Sequence, residues 1–352
     1  MDLPAHLAWL VDEACASSSP EQFIAELGRQ LLADGLPLAG GALTLSIPHP
    51  IIARRTWLWR AETGAVIEAL DFAGSSLNKA AGDWLAGLGP IYEGKIGRGS
   101  DNPILGWAGS HSFTPSETER LDEAARFAAA PLAALTARTA LTTLLEAYLG
   151  KRSAAQVQAG ALGRNNGETI RAALLCADLR DFTALSEATD PSLMIATLDA
   201  WFDRIAGAVH AFGGEVLKFI GDGVLAIFPV TGTPAEACEA SLRAVAAARA
   251  GMVHLDATRQ AQGLVPLPFG VALHFGEMLW GNIGAADRLD FTAIGPAVNL
   301  VSRLEGLCKS LGHRVLISGA LAAETTTTLV PLGEHRLRGI ADPCTVFTLP
   351  TD

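Results

Sequence analysis

Two aspartates and a lysine set in apolar surroundings are the residues of this chain best placed to do chemistry. Asp222 lies in Gly221-Asp222-Gly223, between the apolar runs 216–220 and 224–228, and Lys218 interrupts the first of those runs. Asp178 follows a third apolar run, Arg171-Ala-Ala-Leu-Leu-Cys-Ala177, and opens Asp178-Leu-Arg-Asp-Phe-Thr183. Asp-Gly between apolar, β-branched runs is a strong hairpin signal, because glycine accepts the positive φ that a tight turn needs. Runs so continuously apolar belong in the middle of a covered sheet. Taken alone, Asp222 is an ordinary turn residue and Lys218 an edge lysine with its amine in water. If the strand ending at Asp178 lies beside the hairpin, the two carboxylates converge at one open end of the sheet. Two hard oxygen ligands facing solvent suit Mg²⁺ or Mn²⁺, which is held by one or two carboxylates plus substrate phosphates.

The elements that must position these groups follow from periodicity. Pro191 opens a helix with Leu198, Trp201, Phe202, Ile205, Val209 and Phe212 on one face, ended by Gly213-Gly214. The hairpin comes next, then an alanine-rich helix over 234–262 and strands over 268–275, 277–283 and 289–294. A helix over 296–311 and late strands at 314–318 and 344–349 complete the series. The order β-α-β-β-α-β predicts an α+β, ferredoxin-like domain. Asn299 and Arg303 lie four residues apart on one face of the 296–311 helix, opposite the apolar stripe of Val298, Val301, Leu304 and Leu311. In isolation such a pair is a solvated polar face.

Together these residues carry a resemblance. Asp178-Leu-Arg-x-Phe-Thr183, Lys218-Phe-Ile-Gly-Asp222-Gly, Gly281-Asn-Ile-Gly284 and Thr292-x-Ile-Gly-x-x-Val-Asn299-x-x-x-Arg303 resemble, in order and spacing, the catalytic domain of the class III nucleotidyl (adenylate/guanylate) cyclases. The resemblance runs from about 170 to 349. It implies internal displacement on a nucleoside triphosphate: the ribose 3′-oxygen attacks the α-phosphorus and pyrophosphate leaves. It implies two ions, Mg²⁺ or Mn²⁺, held by Asp178 and Asp222 with the Leu179 carbonyl. Backbone N–H groups at Phe182 and Thr183, and the Arg338 side chain, are implied to hold the terminal phosphates. The resemblance further implies that Asn299 orients the ribose and that Arg303 meets the charge developing on the α-phosphate. It also implies a head-to-tail homodimer with shared sites, metal carboxylates from one protomer and base- and ribose-contacting residues from its partner.

Lys218 and Thr292 stand where the family reads the purine. A lysine donates to the acceptor N1 of adenine, whereas guanine presents a donor there, so the pair favours ATP. The expected product is cyclic AMP, with guanylate cyclase and a catalytically inactive nucleotide-binding protein as alternatives. The intact set Asp178, Lys218, Asp222, Asn299 and Arg303 speaks against the inactive reading. Thr292 also groups the chain with bicarbonate-responsive relatives, which makes bicarbonate, or another small molecule, a candidate effector. Two positions depart from the family pattern: Asp181, where glycine is common, and Pro296, where aspartate is common.

The first half reads as a separate α+β region. Two helical patterns, the second opened by Ser19-Pro20, precede strand-like segments at 42–47, 51–59, 65–72 and 104–109, with a short helix at 77–87. Thr114-Pro115-Ser116-Glu117 is a capping box with proline at the first helical position, starting a long helix to about Leu149 that Pro131 is expected to kink. This order resembles a shortened GAF-type sensor domain. Trp57, Trp59, Trp84 and Trp107 read as core packing, with a ligand pocket as the other reading. The expected organisation is a GAF-like regulatory domain over 1–135, a helical connector over 136–169 and a catalytic domain over 170–352, with the boundary at Arg164-Asn-Asn-Gly167. Leu141, Leu144, Leu145, Tyr148 and Leu149 form a stripe that either pairs with a second copy or is buried within the monomer.

Composition bounds the rest. The 352 residues suffice for two domains, and 49% hydrophobic with 18% charged residues describes a globular protein. A net charge of −11 argues against general binding to nucleic acid or to an anionic membrane. The five cysteines are scattered with no C-x-x-C pair, as in a reducing compartment. With no signal-peptide pattern and no apolar run of roughly 18 residues, the expected location is cytoplasmic.

Overall fold

The computed structural model describes residues 3–49, 51–72, 80–96, 102–160, 167–285 and 287–350. The chain divides into two compact units, Met1–Tyr148 and Leu149–Asp352.

In the first unit, α1 (Ala5–Asp12) and α2 (Pro20–Ala33) precede β1 (Leu38–Ser46), β2 (Ile52–Arg60) and β3 (Val66–Phe72). Then come α3 (Ala80–Ala86), β4 (Ile91–Lys95), β5 (Ile104–Gly109) and α4 (Pro115–Leu149). The strands form one antiparallel sheet in the order β3-β2-β1-β5-β4. Ser19 caps α2 as its sequence predicts, accepting the Gln22 N–H at 3.2 Å. Residues 77–79 of the expected 77–87 helix lie outside the described residues. Strand β4 was not expected; it is a five-residue edge strand containing Gly94, too short to show a period.

Trp57, Trp59 and Trp107 are buried with Phe23, Leu27, Leu31, Leu121 and Leu132, so they are core. His49 Nδ1 accepts the N–H groups of Ile51 and Ile52 at 3.1 and 3.0 Å and thus serves its own turn. The Thr114–Glu117 capping box forms, with Thr114 N–H donating to Glu117 at 2.8 Å and Glu117 N–H to Thr114 Oγ1 at 3.3 Å. Helix α4 runs unbroken through Pro131, which is itself buried. By length and composition alone α4 could cross a membrane, which the apolar-run criterion had not indicated. Its first half buries Leu121, Ala124, Ala128, Leu132 and Leu135, as a core helix does, while Leu141, Leu144 and Tyr148 further along are exposed.

The second unit starts with α5 (Lys151–Gln158) and β6 (Gly167–Leu179); residues 164–166 of the expected boundary lie outside the described residues. Next are α6 (Phe182–Ala188), α7 (Pro191–Ala211), β7 (Glu215–Ile220), β8 (Gly223–Pro229), α8 (Pro234–Ala261) and β9 (Phe269–Gly284). The unit continues with β10 (Leu289–Ile294), α9 (Pro296–Glu305), α10 (Cys308–Leu311), β11 (Val315–Ser318), α11 (Gly319–Ala322), β12 (Val330–His335) and β13 (Cys344–Thr348). The sheet order is β12-β13-β11-β9-β6-β8-β7, with β10 paired to β9. Its portion β9-β6-β8-β7 is antiparallel, with α7 between β6 and β7 in the chain and α8 between β8 and β9, which is the ferredoxin-like arrangement.

Three expectations needed correction. The strands foreseen at 268–275 and 277–283 are one strand, β9, because Gly276 is a close approach and not a break. A Cβ there would lie 2.9 Å from both the Ala297 Cβ and the His274 Nε2. The helix foreseen at 296–311 divides into α9 and α10 at Gly306-Leu307. Strand β12 went unread, since Pro331 and Gly333 fall inside it at a register shift.

Strand β6 is the axis of the unit. Ala173, Leu175, Ala177 and Leu179 alternate into the core that includes Trp201, Ile205 and Val245 of α7 and α8. Ala172 and Leu174 turn to the core that includes Val301 and Leu304 of α9. With both faces covered, each fully buried Leu or Val contributes about 1.5–3 kcal/mol. Alternation places Asp178 on the α9 side.

Candidate active site

Asp178 and Asp222 meet as the spacing implies. The last β6–β8 pair is Ala177 with Val224, so the hairpin tip stands beside the end of β6. Gly221 has φ 64°, as the turn requires. The Leu179 N–H donates to Asp222 Oδ2 at 3.2 Å, and Trp201 Nε1 donates to the Asp222 carbonyl at 2.8 Å. Trp201 is buried against Phe269, ring centroids 5.5 Å apart, so the tip is anchored from the core side.

Electrostatically the pair is frustrated. Burial, then the Asp222 carboxylate hydrogen-bonded beside it, with Glu305 adding to both, pushes the Asp178 carboxyl up to about 7. A carboxylate whose ionisation a neighbouring carboxylate opposes makes, with that neighbour, a donor set that a divalent cation satisfies. Among the described residues no group of three or more His, Cys, Asp or Glu is placed to hold a metal ion.

Glu305 was not singled out from the sequence. It ends α9, and its Oε1 presses on β9 where a Cβ on Gly270 would come within 2.5 Å. Burial holds its carboxyl above the ordinary range against the pull of Arg180. Its spacing from Arg303 puts the two on opposite faces of α9, a signal the sequence did contain.

Asp181 has φ 58° and is the one non-glycine residue with positive φ among the described residues, at the start of α6. Lys309 Nζ lies 2.5 Å from its Oδ1, so the extra negative charge at this turn has a counter-charge. Phe182 is partly buried against the α7–α8 core, and Thr183 is exposed. Arg338 is exposed on a turn after β12, next to the buried Leu337. Pro296 takes the first position of α9 after Gly295. Asn299 and Arg303 are both exposed on α9, while Val301 and Leu304 are buried beneath them.

Lys218 is placed by a bulge. Val216 pairs with Ala226 but Lys218 pairs with Leu225, so β7 carries one extra residue. Val216 packs with the α7–α8 core, whereas Leu225 belongs to the α9 core, so the bulge turns Lys218 to the α9 and β10 side. There Lys218 Nζ meets Asp290 Oδ2 at 2.6 Å. Thr292 lies two residues further along β10, on the same face as Asp290, and is buried.

With this geometry the comparison with known proteins is decisive. Residues 166–349, more than half of the chain, match the adenylate and guanylate cyclase catalytic domain. This chain belongs to the class III adenylate and guanylate cyclase family. Among curated relatives, the cyclase domain is 33% identical to Adenylate cyclase 1 of Rhizobium meliloti over 164 residues, covering 46% of this chain and 25% of that protein. It is 32% identical to an adenylate cyclase of Anabaena cylindrica over 154 residues, covering 43% of this chain and 30% of that one. The chain thus spans about a quarter to a third of the length of these relatives. A bacterial light-regulated adenylyl cyclase shares the fold, at TM-score 0.55 and 17% identity over 88% of this chain and 93% of that one.

Proposed function

We propose that the chain converts ATP to 3′,5′-cyclic AMP and pyrophosphate, and that two copies share each active site. The observation that carries this reading is the convergence of Asp178 and Asp222 at the open end of β6. The adenylate cyclases among its relatives support adenine as the base.

The roles proposed for the residues are those that the family resemblance implies. Asp178, Asp222 and the Leu179 carbonyl hold Mg²⁺ or Mn²⁺, two ions per site. Bound there, the cations supply positive charge that acidifies the ribose 3′-hydroxyl and balances the triphosphate. The protein itself contributes positioning and fixed charge. The N–H groups of Phe182 and Thr183 and the Arg338 guanidinium receive the terminal phosphates. Lys218 and Thr292 read the purine. Asn299 orients the ribose and Arg303 offsets the charge gathering on the α-phosphate.

Asn299 and Arg303 project from an exposed helix face, as expected of groups completed by a second copy. The exposed stripe of Leu141, Leu144 and Tyr148 suits pairing of the 136–169 connector with its equivalent. The 1–135 region acts as a GAF-like sensor that biases assembly of the shared sites, with bicarbonate or another small molecule as effector, in the cytoplasm.

The test is product formation from ATP and, separately, GTP with Mg²⁺ or Mn²⁺, using Asp178→Ala as control. Cyclic AMP from the wild type and not from the variant supports the proposal. Cyclic GMP alone shifts it to guanylate cyclase, and no product from either triphosphate leaves a nucleotide-binding protein.

A further inference from the structure

Trp84 differs from Trp57, Trp59 and Trp107 in standing outside the main core of the first unit. It packs on the other face of the sheet with Leu88, Ala42, Leu58 and Leu85. A Cβ on Gly40 would lie 2.5 Å from Leu88 Cδ1 and 3.5 Å from the Trp84 ring, so these two side chains close over the start of β1. Gly40 pairs with Arg60, and a cavity of about 510 Å³ opens there, where β1 begins and β2 ends. Leu32, Leu38 and Leu88 give it an apolar wall, and Arg60 and Glu62 line its polar side.

Arg60 and Glu62 are both exposed, and among the described residues neither side chain has an ion pair or a hydrogen bond. The Arg60 guanidinium instead lies over the Trp84 ring, 5.8 Å from its centroid. The indole holds the cation by its face and leaves the N–H edge free. The backbone beneath is fixed: the Arg60 N–H donates to the Ala65 carbonyl at 3.0 Å, and the Gly64 N–H to the Arg60 carbonyl at 2.9 Å. These bonds close the turn that carries Glu62. Charges on a turn are ordinarily just solvated. Here two opposite charges, two residues apart, leave each other unpaired, and both border an apolar cavity of the size that takes small ligands.

The geometry points to a binding site for an apolar α-amino acid. Arg60 takes its carboxylate through paired N–H donors, Glu62 accepts from its ammonium, and Leu32, Leu38 and Leu88 cover its side chain. A ligand with one charge leaves Arg60 or Glu62 facing it without a partner, so the zwitterion binds better than the matching acid or amine. The site lies wholly within the first unit and does not depend on the cyclase chemistry. Its use as the effector site rests on the reading of that unit as a sensor, and names the class of its effector.

Calorimetry on the full chain compares L-leucine with isocaproate, which lacks the ammonium, and with isoamylamine, which lacks the carboxylate. L-leucine is expected to saturate one site per chain. Each analogue is expected to bind about 10- to 100-fold more weakly, the size of one hydrogen bond to a charged group. Glu62→Ala should bring L-leucine and isocaproate to within about threefold of each other. Arg60→Met, which keeps the apolar stem, should do the same for L-leucine and isoamylamine. Both side chains are exposed, so thermal melts of the free variants are expected to match the wild type. Addition of L-leucine is expected to change cyclic AMP formation by the wild type and not by Arg60→Met.

Absence of binding by L-leucine, and by L-phenylalanine as a larger side chain, would overturn the assignment. So would isocaproate binding the wild type as tightly as L-leucine, or binding that both variants leave intact. L-leucine that binds without changing cyclic AMP formation would overturn the regulatory half. If the wild type makes no cyclic nucleotide, the adenylate cyclase reading fails by itself, and calorimetry still decides the site.

Discussion

The Leu179 N–H donates to Asp222 Oδ2 across 3.2 Å, tying the last residue of the central strand to the tip of the neighbouring hairpin. The bond fixes Asp222 toward Asp178 before any cation arrives. It also separates the structural duty of Asp222 from its charge. Asp222→Asn keeps an oxygen for Leu179 but removes the negative charge. Activity is expected to fall by about three orders of magnitude, since several kcal/mol of charge stabilisation are lost. The Tm is expected to stay equal or rise, because the repulsion against Asp178 is relieved. Cyclic AMP assays paired with thermal melts check both halves.

Trp201 holds the same residue from behind, through Nε1 to the Asp222 carbonyl at 2.8 Å. Trp201→Phe keeps most of the ring and leaves that carbonyl without its donor. A stability loss of about 1–2 kcal/mol is expected by denaturant unfolding. Weaker Mn²⁺ binding should accompany it, measurable by calorimetry. Unchanged metal affinity would make Trp201 a core residue only.

How far the sequence reached shows at particular residues. The hairpin and the β6 run were legible because glycine turn chemistry and apolar continuity are local signals. So was the Thr114–Glu117 cap. The Lys218–Asp290 pair was not, because a one-residue bulge reverses which face a side chain takes and leaves no compositional trace. Gly276 misled for a related reason: the contact that demands it, Ala297, lies on another element. For Glu305 the helix face was legible from its spacing, but its neighbours were not, because Asp178 and Gly270 come from two other strands.

His274 gives a pH signature for stability. It is buried on β9 with Nδ1 2.8 Å from Ser318 Oγ, and burial lowers its pKa from the usual 6.5 to about 4. The unfolded chain therefore binds a proton that the folded chain refuses between pH 6.5 and 4. This part of the stability is complete above pH 6.5, is lost as pH falls toward 4, and amounts to roughly 3 kcal/mol at most. His274→Gln, which keeps a hydrogen-bonding side chain for Ser318, should show a shallower fall in Tm between pH 7 and 5. Parallel curves for the two proteins would mean that His274 does not resist protonation.

The shared site is the central claim, and heterodimer rescue tests it most directly. An Asp222→Ala chain and an Arg303→Ala chain, each inactive alone, are co-expressed with different tags and purified through both. With shared sites, each heterodimer has one site carrying both defects and one carrying neither, so about half of the wild-type specific activity should return. Doubly tagged heterodimers no more active than either parent would contradict the account.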